Sequence, residues 1–164
     1  MGHIWLIGMM GTGKTTVGAM VAERLELPLI DTDGMVMERS GRTIPEIFEE
    51  SESTFRGLEA AVIREVADGP AAVVSTGGGA VLDPHNVDVM HSCGVIILLE
   101  APVDELLARL GSAQGRPLYT SRESLVRLDA ERSELYRSAS DHRIDTRGCS
   151  PIEVAEEVIG CART

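Results

Sequence analysis

Apolar residues along the 164-residue chain follow two periodicities. Short, nearly unbroken apolar runs occupy 3–7, 28–31, 71–75 and 95–99, with a weaker one at 142–145. Runs of this length and continuity predict strands, and the runs at 71–75 and 95–99 predict central strands buried on both sides. The segments between them have helical spacing. A helix is predicted after residue 13 through the periodic stretch 17–25, a short one over 43–51, and a longer one over 52–68 whose apolar face holds Phe55, Leu58, Ala61, Val62 and Val66. Asp83-Pro84 and Ser150-Pro151 each place a capping side chain before a proline at the first helical position, and Glu153 completes a capping box with Ser150. Strands alternating with helices imply right-handed crossovers and a mostly parallel sheet covered on both faces, with ligands collecting at the carboxyl ends of the strands. No internal repeat or low-complexity linker interrupts the pattern, so residues 1–164 are expected to form one domain.

One segment obeys neither periodicity. Gly8-Met9-Met10-Gly11-Thr12-Gly13-Lys14-Thr15 joins the first strand to the first helix and matches Gly-x-x-x-x-Gly-Lys-Ser/Thr in the context that motif requires. The glycines let successive backbone N–H groups turn inward around a phosphate, and the helix that follows adds its positive end. Gly11, Thr12, Gly13, Lys14, Thr15 and Thr16 are therefore the predicted contacts to a nucleotide triphosphate, with Lys14 reaching the outer phosphates and the Thr15 hydroxyl placed to ligate Mg²⁺. Lys14 is the only lysine in the chain, whose other fourteen basic side chains are all arginine. A compact ammonium has been kept where a guanidinium would not fit a narrow loop.

Composition narrows the partners. A formal net charge of -11 opposes a nucleic-acid or anionic-membrane partner, so an anionic ligand has to be met by a local cluster of cations. Cys93, Cys149 and Cys161 are odd in number and far apart, which points to neither a disulfide framework nor a zinc site and suits a reducing cytosol. The apolar runs are too short to span a bilayer and no charged leader precedes the first strand, so the expectation is a soluble cytoplasmic protein.

Further chemistry is expected at the strand ends. Asp31-Thr32-Asp33 ends the second strand, and an extended backbone would put both carboxylates on one side, one for Mg²⁺ and one for an attacking hydroxyl. Ser75-Thr76-Gly77-Gly78-Gly79 ends the third strand without the acid often found there, and its bare backbone N–H groups would lie beside a small substrate. Arg56 and Glu59 sit three apart on one helical face, so the carboxylate can hold the guanidinium toward a carboxylate ligand. Arg116 lies in the small-residue stretch 111–117, which reads as a loop able to bring its charge over phosphates. Arg132 lies in a segment dense in Arg and Glu, where spacing alone assigns a solvated face.

Taken together, these residues resemble the shikimate kinase family. The match is carried by 8–18, Asp31-Thr32-Asp33, 41–48, Glu52, Phe55-Arg56, Glu59, 75–79, Arg116-Pro117-Leu118 and Arg132 ahead of Leu135-Tyr136. The resemblance implies a P-loop nucleoside-monophosphate-kinase-like three-layer α/β sandwich with a five-stranded parallel sheet, a substrate-binding helical segment near 33–60 and a lid near 111–122. It implies transfer of the ATP γ-phosphoryl group to shikimate, giving shikimate 3-phosphate in aromatic amino-acid biosynthesis, by a monomer without nucleic-acid or membrane partners. By position, Asp33, Lys14 and Arg116 are the implied catalytic groups. Asp33, Arg56, Arg132 and the glycines Gly77, Gly78 and Gly79 hold shikimate, Thr15 and Asp31 serve Mg²⁺, and Arg109 and Pro151 flank the adenine. Ser51 departs from the glycine usual before Glu52. Two alternatives stay open at this level: a P-loop kinase for another small polyol such as gluconate or a carbasugar, separable by indifference to loss of Arg56 and Arg132, and a non-catalytic nucleotide-binding module.

Overall fold

A computed structural model describes residues 1–111 and 121–164. Among the described residues, the strands are β1 (His3–Ile7), β2 (Leu29–Asp31), β3 (Val73–Ser75), β4 (Gly94–Glu100) and β5 (His142–Asp145). They form one sheet in the order β2-β3-β1-β4-β5 with every pairing parallel. Each run that reads as a strand from the sequence is one, with ends that differ by two residues at most. β1 lies in the middle, with Leu6 opposite Ser75 on one side and Ile7 opposite Leu98 on the other.

The period-two alternation of strand side chains divides the core into two layers. Ile4 and Leu6 of β1 and Ile97 and Leu99 of β4 pack with Val17, Val21 and Ala22 of helix α1 (Lys14–Leu25) and Val154, Val158 and Ile159 of α8 (Pro151–Ala162). Trp5 and Ile7 of β1 and Ile96 and Leu98 of β4 point the other way. There they meet α2 (Thr32–Ser40), α3 (Ile44–Glu50), α4 (Glu52–Ala67), α5 (Pro84–Cys93), α6 (Val103–Leu110) and α7 (Arg122–Ala139). Helices cover both faces because neither face of a central strand is polar.

Local sequence sets the helix starts. Asp83 caps α5 and Ser150 caps α8, each followed by proline, and Ser150 and Glu153 close the expected capping box. A second box, Thr43 with Glu46, starts α3. Ser51, the departure from glycine, has φ −170°, an extended conformation open to any residue, and its side chain caps α4 by accepting from the Thr54 N–H at 3.0 Å. Two expectations are corrected. The buried stripe of α4 runs Phe55, Glu59, Ala60, Val62, Ile63 and Val66, while Ala61 is exposed and Leu58 only partly covered. And α2 begins at Thr32, so Asp33 stands in the first turn of a helix rather than on extended backbone, and Asp31 is the N-cap that accepts from the Gly34 N–H at 3.2 Å. An Asp whose carboxylate reaches the amide three residues on nucleates a helix directly after the strand.

Candidate active site

The loop after β1 opens at the centre of the sheet edge. Gly8, Gly11 and Gly13 have φ of +141°, +83° and +96°, and a Cβ on Gly8 would lie 2.3 Å from the Leu99 carbonyl oxygen. Only glycine accommodates that path. Among the described residues no side chain caps α1 and no acid occupies its first turn, so the positive end of the helix is left for an anion such as a phosphate. Lys14, 9 % exposed, donates from Nζ to the carbonyls of Gly8 (2.8 Å) and Met9 (2.9 Å), which curls the loop around its ammonium.

A cleft of about 470 Å³ starts at this loop and is lined by Gly11, Gly13, Lys14, Thr15, Thr16, Asp31, Asp33, Gly77, Gly78 and Arg109 among the sequence-predicted residues. Despite the helical start at Thr32, Asp31 and Asp33 both reach it. The Thr15 hydroxyl lies 3.2 Å from that of Ser75, a cleft residue at the buried end of β3. Arg109 crosses from α6 to donate to the Gly11 carbonyl (3.3 Å) and to the Thr146 hydroxyl (3.0 Å) and carbonyl (3.1 Å), joining the P-loop to the segment after β5. Two predicted nucleotide residues are not in the lining: Thr12 is buried with its hydroxyl on the Met9 carbonyl at 2.9 Å, and Pro151 is an exposed residue at the start of α8. Arg116 and most of the expected lid fall outside the described residues.

The triple glycine turns across the cleft from the P-loop. A Cβ on Gly77 would lie 2.6 Å from Asp33 Oδ1 and 2.9 Å from Glu59 Oε2; on Gly79 it would lie 2.2 Å from Arg56 Nη1; on Gly78, 3.4 Å from Arg132 Nη1. Charged side chains of α2, α4 and α7 close on the turn, and at Gly77 and Gly79 they leave no room for a Cβ. Its N–H groups are not all bare, since Gly77 donates to the buried Thr32 hydroxyl at 3.0 Å. Arg56 donates to Glu59 (2.9 Å) and Glu52 (3.2 Å), with its guanidinium carbon 5.1 Å from the ring centre of Phe55 and 5.9 Å from that of Phe48. Arg132 is 4 % exposed, not solvated, because α7 buries Leu125, Leu128, Arg132, Tyr136 and Ala139 on one face.

Glu59 is 1 % exposed, and among the described residues its Oε2 has no hydrogen-bond partner. Burial raises its carboxyl to about 7; the Arg56 charge and hydrogen bond oppose the rise, the Asp33 charge adds to it and the Arg132 charge opposes it. Thr32, Ser75 and Tyr136 stand in the motifs read from the sequence, but that reading gives none of them a role of its own. A polar residue at the end of an otherwise apolar strand was the available signal for Ser75.

A phosphate loop at the head of the central strand of a parallel sheet in this order defines the class: a P-loop kinase-like protein with the nucleoside-monophosphate-kinase-like fold. Comparison with known proteins gives the family. The family model described as shikimate kinase matches residues 10–163. A shikimate kinase of Caldicellulosiruptor bescii is 42% identical over 163 residues, covering 97% of this chain and 94% of the relative. One of Halorhodospira halophila is 42% identical over 161 residues, covering 96% and 91%. Among solved structures, shikimate kinase from Acinetobacter baumannii in complex with shikimate aligns with a TM-score of 0.94 at 34% identity, over 98% of this chain and 92% of that one. This chain belongs to the shikimate kinase family, whose members are ATP-dependent kinases of a shikimate hydroxyl.

Proposed function

We propose that this chain transfers the γ-phosphoryl group of ATP to shikimate, giving shikimate 3-phosphate, with the P-loop holding the donor and the α2, α4 and α7 residues around the triple glycine holding the acceptor. The observation that carries this reading is the pair of guanidinium groups, Arg56 at Gly79 and Arg132 at Gly78, on a turn whose Gly77 and Gly78 line the cleft at the phosphate loop. In a chain of net charge -11, two arginines converging on a turn without side chains suit a small carboxylate and little else.

In this assignment Asp33 orients the attacking hydroxyl and accepts its proton, while Lys14 turns from the Gly8 and Met9 carbonyls to the phosphate oxygens. Arg116 adds charge to the transferring group from the lid, and Arg109 and Pro151 flank the adenine. The donors present fit Mg²⁺: a Thr15 hydroxyl and the Asp31 carboxylate on one cleft are hard oxygen ligands, few enough to leave positions for phosphate oxygens and water. The chemistry such an ion supplies is neutralisation of charge on those oxygens. Catalysis on this reading is positioning and electrostatics, since phosphoryl transfer asks little covalent chemistry of the protein. We place the reaction in the cytoplasm and assign it to a monomer.

The test is shikimate-dependent ADP release at fixed ATP and Mg²⁺, with gluconate and a carbasugar as comparison acceptors. Shikimate is expected to be the preferred acceptor, and Arg56→Ala and Arg132→Ala each to lower kcat/KM for it by about 10- to 100-fold, as expected for losing a hydrogen bond to a charged group. No stimulation by shikimate overturns the substrate, and indifference to both arginine substitutions points to a neutral polyol.

A further inference from the structure

Tyr136 belongs to the family-like motif, yet the reaction as described gives it no task. It is 3 % exposed and follows Arg132 by four residues on α7, so both side chains leave the same helix face. Its hydroxyl donates to the Gly78 carbonyl and lies 3.7 Å from Met9 Sδ. Arg132 reaches the same glycine, and its charge opposes the rise that burial gives the phenol. A phenol has one proton, here given to Gly78, and its lone pairs face outward to a donor such as a guanidinium.

The neighbours of that hydroxyl are what make it informative. Gly78 is the middle residue of the acceptor turn, and a Cβ there would stand 3.6 Å from the hydroxyl and 3.4 Å from Arg132 Nη1. Met9, on the other side, offers its carbonyl to Lys14 and Thr12. A ring present only to fill the core would be served by phenylalanine, since a buried hydroxyl is unfavourable unless it is bonded.

We propose that Tyr136 is a positioning residue for the acceptor, whose hydroxyl holds the Gly78 peptide and the Arg132 guanidinium in one arrangement so that shikimate meets them preformed. The hydroxyl touches no substrate; it acts through the two groups that do. This inference rests on the shikimate kinase reading, which the wild-type protein tests by itself through shikimate-stimulated ADP release.

Tyr136→Phe keeps the ring and removes only the hydroxyl. With wild-type activity established, the variant is expected to show a shikimate KM raised about three- to tenfold, the effect of one net hydrogen bond, with ATP KM and melting temperature nearly unchanged. In an Arg132→Ala background the same substitution is expected to change shikimate KM by less than about twofold, because interacting residues are not additive. An unchanged shikimate KM in Tyr136→Phe, equal rises in both KM values with a lowered melting temperature, or full additivity with Arg132→Ala each overturns the proposal. A measurement on the unaltered hydroxyl stands beside these. The chain has two tyrosines, so with ¹³Cζ-labelled tyrosine and a Tyr119→Phe variant for assignment, the Tyr136 signal is expected to move when shikimate saturates the protein. A signal that stays in place overturns the inference even if Tyr136→Phe does not fold.

Discussion

Glu59 is the residue at which folding and chemistry conflict. It occupies the otherwise apolar stripe of α4 between Phe55 and Ile63. A carboxylate there has Arg56 at 2.9 Å, and removing it would leave that guanidinium without its buried partner. Its carboxyl rises from 4.5 to about 7, so between those values the folded protein holds a proton that the unfolded chain has released. The sign follows: the folded state binds more protons, so this contribution to stability is full below about pH 4.5 and is lost as pH rises through 7. Glu59→Gln is expected to flatten that loss. At about 1.4 kcal/mol per pH unit, the difference in unfolding free energy between wild type and variant should change by an order of 3 kcal/mol across the window. Denaturant unfolding at pH 4.5, 6 and 7.5 measures it, and parallel pH profiles for the two proteins would refute the assignment. Spacing in the sequence pairs Glu59 with Arg56. That the pair is buried was not legible, because burial depends on which face of α4 meets the sheet.

At the scale of elements, the turn at 77–79 shows why glycine recurs without a strained backbone. None of the three has φ in the left-handed region, so they are not required by the path of the chain. At two of them a side chain would collide with what closes on the turn: Asp33 and Glu59 at Gly77 and Arg56 at Gly79, whereas at Gly78 a Cβ would meet Arg132 and Tyr136 at ordinary contact distance. Gly79→Ala is therefore expected to displace the Arg56 guanidinium, lowering kcat/KM for shikimate at least ~10-fold while ATP KM stays within about twofold. Steady-state kinetics with each substrate varied in turn decides it, and an unaltered shikimate term would mean that Arg56 is not held by this turn. Helix starts were the most legible elements, since capping is decided by three or four consecutive residues. Asp31 shows where that reasoning stopped: a capping residue and a metal ligand draw on the same side chain, and only the structure shows α2 beginning at Thr32.

Across the whole molecule, the proposed site draws on residues at 8–16, 31–33, 56–59, 75–79, 109 and 132–136, which parallel crossovers bring toward one edge of the sheet. A ligand that binds only when these are together must stabilise the fold. ADP with Mg²⁺ at about 100 times its dissociation constant is expected to add ~2.7 kcal/mol, raising the melting temperature by about 5–10 °C for a chain of this size. Thermal unfolding with and without ADP reads this directly, and a midpoint that ADP does not move would contradict an open P-loop in the folded state. The strands, the caps at Asp83 and Ser150 and the phosphate loop were determined by the sequence alone, because periodicity, capping and backbone N–H geometry involve residues a few positions apart. The tertiary structure decided which charged residues are buried. Arg132 looks solvated within its own helix, and it is sealed only because α7 packs that face over a glycine turn more than fifty residues earlier in the chain. Desolvation of a charge is a property of all the elements that surround it, and no stretch of sequence contains them.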